Sequence, residues 1–186
     1  YGTLTINGGL SNTLSIKQMT GATLTISTND DKLVNREGEY KGNVISLTVS
    51  KGENLVEYIY NGDQTVYDVA YYNLTIGGMS GIKQGSATKN LTVSNELKLI
   101  DGGQLLTAKD VQVNGKLSMS GDSVLELGGN LVLPKETVIS DPNYNVNYGY
   151  ELGDNSTIVY NSAEDRVILN IDYNNLEISG KGVKSL

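Results

Sequence analysis

Apolar and polar residues alternate in short runs through the middle of the chain, and the runs recur at a nearly constant spacing. Asn73, Asn90, Asp110 and Asn130 each precede a short triplet with apolar ends, at intervals of 17, 20 and 20 residues. Alternation within a run is typical of a β-strand with one buried face. A recurrence of about 20 residues indicates a solenoid, in which coils stack because none can bury its apolar face alone.

The 20-residue offset predicts which apolar side chains stack on one another. The predicted columns are Leu91, Val111 and Leu131; Val93, Val113 and Leu133; Leu97 and Leu117; Leu99 and Met119; and Leu105 and Leu125. Each coil then contains three short strands separated by glycine-containing turns, which describes a roughly triangular cross-section.

The same offset also stacks polar residues. Asn73, Asn90, Asp110 and Asn130 are predicted to form a ladder at one corner, with an interruption at Asp110 because a carboxylate can only accept hydrogen bonds. Separately, Glu96, Lys116 and Glu136 are predicted to stack with alternating charge, and Ser118 is predicted to point to solvent.

The pattern extends toward both ends of the chain. Leu4, Leu24 and Val44 lie 20 residues apart, while residues 29–43 are charged and turn-rich and are predicted to project as a loop. Residues 140–157, rich in Tyr, Asn and Gly, are predicted to form an irregular loop or rung. We therefore predict an all-β fold over residues 1–186, a right-handed parallel β-solenoid (β-helix) of about nine rungs with about 20 residues per rung. The predicted handedness follows from the rule for parallel crossovers.

A longer repeat is superimposed on the short one. The segment 58–62 with 71–78 matches 158–162 with 172–180, at an offset of 100 for Tyr60/Tyr160 and of 102 for Leu74/Leu176. Residues 1–8 match the end of a third copy. Because the chain begins within the pattern, it is predicted to be cut from a longer repeat protein.

Composition excludes several function classes. The chain has 14 basic and 21 acidic residues, a net charge of −7, which argues against binding to nucleic acid or anionic membranes. No apolar run approaches the ~20 residues that span a bilayer. Cysteine and histidine are absent, which excludes disulfides, thiolate chemistry and the commonest general base.

Catalysis is not predicted, and neither is a cofactor. Glycoside hydrolysis needs two carboxyl groups about 5–9.5 Å apart, yet Asp110 is stacked with Asn130, and Asp101 and Asp122 lie in glycine turns. No basic cluster of the kind that a lyase needs accompanies these acids. Calcium-binding sequence motifs are also missing.

Tyrosine is the main candidate for ligand contact, occurring 12 times in a chain without Phe or Trp. Tyr144, Tyr148 and Tyr150 crowd the predicted 140–157 segment, and exposed tyrosine rings can stack on sugar faces. One hypothesis is therefore a carbohydrate-binding module. The alternative is that the tyrosines pack against the core in place of the missing Phe and Trp.

The repeat pattern resembles that of a known group of proteins. The motif I-V/I-Y-N-G followed by Y-Y-N-L-T-I-x-G, with N-L-T-V rungs between copies, is similar to repeats in very large secreted surface proteins of Bacteroidota. Such proteins resemble filamentous-haemagglutinin-type adhesins, and some are tied to gliding motility and type IX secretion.

The resemblance implies an extracellular location on a bacterial cell surface and a role as an adhesive stalk or filament. The implied partners are neighbouring repeats of the same chain, and surface glycans or other cells. Asp122-Ser123-Val124 is similar to an O-glycosylation acceptor of that phylum, which makes Ser123 a candidate modification site. A glycan-degrading β-helix enzyme is the remote alternative.

Overall fold

The computed structural model describes residues 55–134 and 149–186, together with the backbone of four strands before residue 50. Throughout these residues the protein is all-β and contains no helix. The strands, in chain order, are β1 (Thr3–Ile6), β2 (Leu14–Gln18), β3 (Thr23–Ile26), β4 (Ile45–Val49), β5 (Leu55–Tyr58), β6 (Gln64–Thr65), β7 (Tyr71–Ile76), β8 (Ile82–Gln84), β9 (Leu91–Leu99), β10 (Gln104–Thr107), β11 (Val111–Val113), β12 (Lys116–Met119), β13 (Val124–Leu127), β14 (Leu131–Val132), β15 (Tyr150–Leu152), β16 (Thr157–Asn161), β17 (Arg166–Val167), β18 (Asn175–Ser179) and β19 (Lys184–Ser185).

Every strand pair in the described residues is parallel. One sheet runs in the order β1-β3-β5-β7-β9-β11-β14, with β12 and β15 continuing from the second half of β9. A second sheet runs in the order β18-β16-β13-β10-β8-β6. Two short ladders, β2 with β4 and β17 with β19, complete the pairing. Parallel pairing of each strand with the equivalent strand of a neighbouring coil makes this a β-solenoid, which confirms the predicted fold class.

The coil has three faces in the regular middle of the chain. Face A contains the column Leu91, Val111 and Leu131, and face B contains Leu97, Leu117 and Tyr150. Face C contains Leu105, Leu125 and Ile158. A coil therefore visits face A, then B, then C, and β9 is long enough to cover faces A and B of one coil.

The 20-residue register is confirmed in this region. Leu97 pairs with Leu117 and Leu99 with Met119, while Leu105 pairs with Leu125. These apolar side chains are at most 2% exposed. They belong to one continuous apolar core that runs along the solenoid axis.

A stacked corner also limits which residues fit. A Cβ atom added at Gly115 would lie 2.1 Å from the carbonyl oxygen of Asn95 on the preceding coil. No side chain can occupy that position without moving the backbone, which explains the glycine in the Asn114-Gly115 turn.

The predicted polar ladder is correct at three of its four positions. Asn130 donates its backbone N–H to the carboxylate of Asp110 at 2.7 Å, and Asp110 donates its N–H to the amide oxygen of Asn90 at 3.3 Å. Each side-chain oxygen accepts from the backbone of the next coil. The interruption predicted at Asp110 therefore does not occur. Asn73 does not belong to it.

Asn73 lies instead opposite Glu96, because the register shifts between Tyr71 and Asn73 and the partner of Leu74 is Leu97. The Asn73 side chain accepts from the amide of Asn95 at 2.7 Å. The sequence spacing from Asn73 to Asn90 was therefore a coincidence and not a stacking interval.

The N-terminal register is partly as predicted. Leu4 pairs with Leu24, as expected. Leu24, however, pairs with Val56 and not with Val44, and the strand after Val44 pairs with β2. The long interval from Leu24 to Val56 contains the segment 29–43, which lies outside the described residues.

The number of coils is about six and not nine. Part of the difference arises because a second interval, from Leu117 to its partner Tyr150, spans 33 residues and not 20. Residues 135–148 within it lie outside the described residues. From Gly149 onward the structure shows β15 on face B, directly against β12.

Ser118 corrects a further expectation about this surface. It is only 9% exposed, and its hydroxyl donates to the carboxylate of Glu96 at 2.7 Å. Neighbouring coils bring outward side chains within hydrogen-bond distance, so a polar residue on the outer surface becomes covered.

We predict that Leu117→Asp unfolds the protein far more readily than Gln112→Asp. Leu117 is 0% exposed, and an unpaired buried carboxylate costs several kcal/mol, whereas Gln112 lies on the solvent side of β11. Urea denaturation followed by circular dichroism measures the difference. Equal midpoints for the two variants would contradict the assigned core.

Candidate functional site

The most elaborate polar constellation in the described residues is a buried tyrosine pair in the coil formed by β5, β6 and β7. The hydroxyls of Tyr58 and Tyr71 lie 3.0 Å apart, with both side chains at most 1% exposed. Tyr58 accepts from the backbone N–H of Tyr67 at 3.0 Å, and Tyr71 donates to the carbonyl of Tyr67 at 2.8 Å. Tyr58 therefore donates to Tyr71, and the three residues close a hydrogen-bonded ring.

The hydrogen-bonded ring contacts the backbone between β6 and β7, in a coil that runs from Val56 to Leu74 and is two residues shorter than the regular 20. The adjacent Val66 donates its N–H to the carbonyl of Gln84 on the next coil. The two tyrosine hydroxyls pair with the N–H and the C=O of Tyr67, and this C=O also accepts the N–H of Val69 at 3.0 Å. The tyrosine pair is thus a device for closing a short coil.

The same hydrogen-bonded ring occurs again near the C-terminus. The hydroxyls of Tyr160 and Tyr173 lie 3.1 Å apart, and Leu169 donates its N–H to Tyr160 at 3.3 Å and accepts from Tyr173 at 2.5 Å. The two aromatic side chains pack edge to face with their centroids 6.5 Å apart. This coil, from Ile158 to Leu176, is as short as the first.

Tyr58 and Tyr160 are therefore the equivalent residues of the two copies, at an offset of 102. The sequence match of Tyr60 with Tyr160 at an offset of 100 was wrong. Tyr58 and Tyr60 are two positions apart and so point to the same side of the chain in an extended segment. The sequence pattern alone therefore could not decide which of them corresponds to Tyr160. What could have identified the pair is the separation of 13, which Tyr58/Tyr71 and Tyr160/Tyr173 share.

Other contacts repeat with the hydrogen-bonded rings. Asp63 accepts the N–H of Ile82 at 2.9 Å, and Asp165 accepts the N–H of Val183 at 2.8 Å. Val66 and Ile168 are the buried apolar residues at equivalent places. The structural unit 58–83 is thus duplicated as 160–184. The segment before the final lysine is one residue shorter in the second copy, where 179–184 correspond to 77–83.

A lysine closes each unit. Lys83 is 0% exposed, and its ammonium donates to the carbonyls of Tyr60 at 2.7 Å and Gly62 at 2.9 Å. Lys184 likewise donates to the carbonyls of Ser162 and Gly182, at 3.0 and 2.7 Å. Hydrogen bonds from a charged donor are stronger than neutral ones, so each lysine holds together two turns of adjacent coils.

The two copies occupy different faces of the coil. In the first copy, β7 stacks on the second half of β9, which places it on face B. In the second copy, β16 stacks on β13, which places it on face C. The solenoid therefore contains essentially the same unit on two faces, with the second copy rotated about the solenoid axis by one face relative to the first.

Burial changes the acidity of the tyrosines. Desolvation, reinforced by the neighbouring Tyr58, raises the pKa of Tyr71 well above its usual value. Desolvation also raises the pKa of Tyr160 and, together with the hydrogen bond to Tyr160, that of Tyr173. These hydroxyls stay protonated, as donation around the hydrogen-bonded rings requires.

The residues predicted to contact glycans are placed differently from expectation where the structure describes them. Tyr150 is half-buried, pairs with Leu117 in the face B column, and accepts the N–H of Asp172 at 3.1 Å. It is a core and corner residue and not an exposed platform. Tyr144 and Tyr148 lie outside the described residues.

Ser123, the candidate glycosylation site, is 0% exposed and stacks against Ser156 of the next coil. The folded protein therefore does not present its hydroxyl to a glycosyltransferase.

The outer surface of face B carries alternating charge, as predicted for Glu96 and Lys116, which pair across β9 and β12. Glu136 lies outside the described residues. Glu151 of β15 forms the salt bridge with Lys116, and this contact lowers the pKa of Glu151. A shallow groove of about 330 Å³ runs between these side chains.

A second groove of about 460 Å³ lies along face C between Glu126 and Arg166. Arg166 forms a salt bridge with Glu164, and Glu126 accepts from the amide of Asn161 at 2.8 Å. In both grooves the polar groups named here contact one another, and no set of acids and bases converges on an open point.

Within residues 55–134 and 149–186, no group of three or more acidic side chains is arranged to hold a metal ion. The same residues contain no helix long and apolar enough to cross a membrane. Comparison of the chain with known protein families, curated proteins and solved structures finds no match.

We predict that Tyr58→Phe lowers the free energy of unfolding by about 1–3 kcal/mol, because it removes the buried hydroxyl that accepts the partly buried N–H of Tyr67 and pairs with Tyr71. Tyr72→Phe is the matched control, since the Tyr72 side chain is only half-buried. Urea denaturation of both variants provides the comparison. An equal loss in the control would show that the hydrogen-bonded ring contributes nothing specific.

We also predict that stability falls as the pH rises above about 10. The pKa values of Tyr71, Tyr160 and Tyr173 are raised in the folded state, so the unfolded chain, with tyrosine pKa near 10, loses protons first. Stability is therefore full below pH 10 and decreases as the pH approaches the folded pKa values. In the double variant Tyr71→Phe, Tyr173→Phe the decrease should be shallower, and an unchanged slope would contradict the assignment.

Proposed function

We propose that this protein is a structural segment of a large secreted bacterial surface protein, where it forms part of a stiff extracellular stalk or filament. The observation that carries the proposal is the duplicated unit. Its hydrogen-bonded tyrosines, its aspartate contact and its lysine all bind the chain's own backbone, within or between coils. The most specialised side chains therefore serve stacking.

The duplication also supports a modular mode of growth. Equivalent units occur on face B and on face C of one solenoid, so the unit does not depend on its position around the axis. A polypeptide can then lengthen by adding units, because each added unit can keep the same side-chain contacts. That property suits a spacer, whose task is to hold a binding end away from a surface.

The mechanical basis is the parallel ladder between coils. Strands are held about 4.8 Å apart, and in the described residues an apolar core with members from Val56 to Ile168 couples each coil to the next. Bending such a rod must break ladder bonds or open the core. Stiffness therefore follows from the stacking itself.

The placement on a cell surface rests on sequence. The repeat motif resembles adhesins of Bacteroidota, including proteins of gliding motility and type IX secretion. In this proposal the partners are neighbouring repeats, with surface glycans or other cells bound elsewhere on the full protein. A carbohydrate-binding role for this segment is the competing hypothesis, and the burial of Tyr150 removes one of its three proposed contacts.

The proposal is tested by joining two copies of the chain in tandem and measuring particle length by small-angle X-ray scattering. About six coils at roughly 4.8 Å each add about 30 Å per copy. We expect the maximum dimension to increase by that amount while the cross-section stays constant. Two flexibly joined globules in the scattering curve would contradict the stalk.

A glycan array on the same material tests the competing hypothesis. The stalk predicts no strong binder, and Tyr144→Ala with Tyr148→Ala should leave any attachment to cells unchanged. Specific glycan binding that is lost in this double variant would favour the carbohydrate-binding module.

A further inference from the structure

Two turns on adjacent coils place backbone carbonyls around a single point inside the solenoid. The carbonyl oxygens of Tyr60 and Gly62 lie 2.7 and 2.9 Å from the Nζ atom of Lys83. The carbonyl oxygen of Ser80 lies 3.3 Å from the same atom. Because the lysine is 0% exposed, these oxygens stand where water surrounds an exposed ammonium. Backbone carbonyls that replace a hydration shell also hold the monovalent cation in potassium channels.

Contacts other than those of the lysine hold the two turns together. The side-chain oxygen of Asn61 accepts the N–H of Met79 at 2.8 Å, and that of Asp63 accepts the N–H of Ile82 at 2.9 Å. At Gly81, where φ is +78°, an added Cβ would lie 2.1 Å from the backbone of the first turn. The lysine is therefore not the only group that positions the carbonyls.

The second copy of the unit repeats this arrangement. The Nζ atom of Lys184 lies 3.0 and 2.7 Å from the carbonyl oxygens of Ser162 and Gly182. The side chain of Asp165 accepts the N–H of Val183 at 2.8 Å, as the equivalent aspartate does in the first copy. The segment before the lysine is one residue shorter here, yet the ammonium again binds carbonyls of both turns. A positive charge at this point is thus a shared feature of the two turn pairs.

The lysine reaches the carbonyls from the core. Lys83 pairs with Leu105 on the next coil, and Leu105 pairs with Leu125. Both leucines are at most 1% exposed, so the apolar stem of the lysine extends a column of core side chains. Truncation to alanine would remove the stem and the charge together while leaving the backbone carbonyls of both turns.

The ligand chemistry of the site suits an ammonium ion. Calcium binds its oxygen ligands at about 2.3–2.6 Å and is commonly held by carboxylates. The carbonyl oxygens around Lys83 are neutral and lie at 2.7 Å or more. A primary ammonium has three N–H donors, and three carbonyls surround it here. Hydrogen bonds from a charged donor are stronger than those from a neutral one.

We propose that the paired turns at 60–63 and 78–83 form a binding site for a primary ammonium ion, and that the Lys83 side chain is its tethered occupant. Lys83→Ala should then bind a free primary ammonium ion such as ethylammonium, whose ethyl group follows the path of the missing stem. The proposal goes beyond the stalk function and does not depend on where the protein is located.

Urea denaturation in two ammonium salts tests the site. Tetramethylammonium chloride is the matched salt, because its cation has the same charge but no N–H. In Lys83→Ala we expect ethylammonium to raise the urea midpoint at least about threefold more than tetramethylammonium at the same concentration, since a ligand that binds only the folded state stabilises it. The unaltered chain and Lys98→Ala, which changes an exposed lysine of face B, should respond equally to the two salts.

Equal responses of Lys83→Ala to the two salts would overturn the proposal, and so would a preference for ethylammonium that Lys98→Ala shares. Lys184→Ala carries the same expectation and replaces Lys83→Ala if circular dichroism shows that the latter does not fold.

The unaltered chain offers a measurement that needs no truncation. In a ¹⁵N-labelled sample, the ammonium protons of Lys83 should exchange with water at least about tenfold more slowly than those of Lys98, because buried hydrogen bonds protect them. The Lys83 signal is assigned by its loss in Lys83→Arg. Equal exchange rates for the two lysines would contradict a carbonyl site that encloses the ammonium.

Discussion

The rest of the structure depends on one constraint: each coil must present its backbone in parallel to the next coil. A coil of about 20 residues buries its apolar face only when another coil covers it. The side chains at the corners follow from this requirement. Asn90 and Asp110 accept hydrogen bonds from backbone groups one coil further on. Polar residues in the turns are therefore part of the stacking, as the sequence predicted for Asn90, Asp110 and Asn130.

The hydrogen-bonded tyrosines show how the protein closes a coil that is shorter than the rest. In these two short coils the tyrosine hydroxyls pair with the backbone of Tyr67 and Leu169, while the adjacent Val66 and Ile168 donate to the next coil. Tyrosine reaches across the interior and brings a hydroxyl that both donates and accepts. A phenylalanine at Tyr58 or Tyr160 would fill the same space but would remove the hydroxyl that accepts the N–H of Tyr67 or Leu169. This requirement explains why tyrosine and not phenylalanine occupies four of the twelve tyrosine positions of the chain, Tyr58, Tyr71, Tyr160 and Tyr173.

Rotation of the unit by one face links packing to the proposed function. A structural element that fits on face B and on face C can be repeated with different intervals between copies, here the shorter one from Leu4 to Leu74 and the longer one from Leu74 to Leu176. Long intervals such as that from Leu117 to Tyr150 add residues without interrupting the ladder. A rod can thus contain intervals of different length while its ladder continues.

The sequence by itself determined the fold class, the 20-residue register from Leu91 to Leu131 and most of the core, because stacked parallel strands force the same alternation onto every coil. Even the existence of a larger repeat was visible. Only the tertiary structure decided the coil count, the pairing of Leu24 with Val56 and the place of Asn73 opposite Glu96. Insertions and a register shift change the stacking interval without changing the local pattern. The hydrogen-bonded tyrosines, the buried Lys83 and the covered Ser118 also required the structure, since each depends on residues that meet only when coils stack.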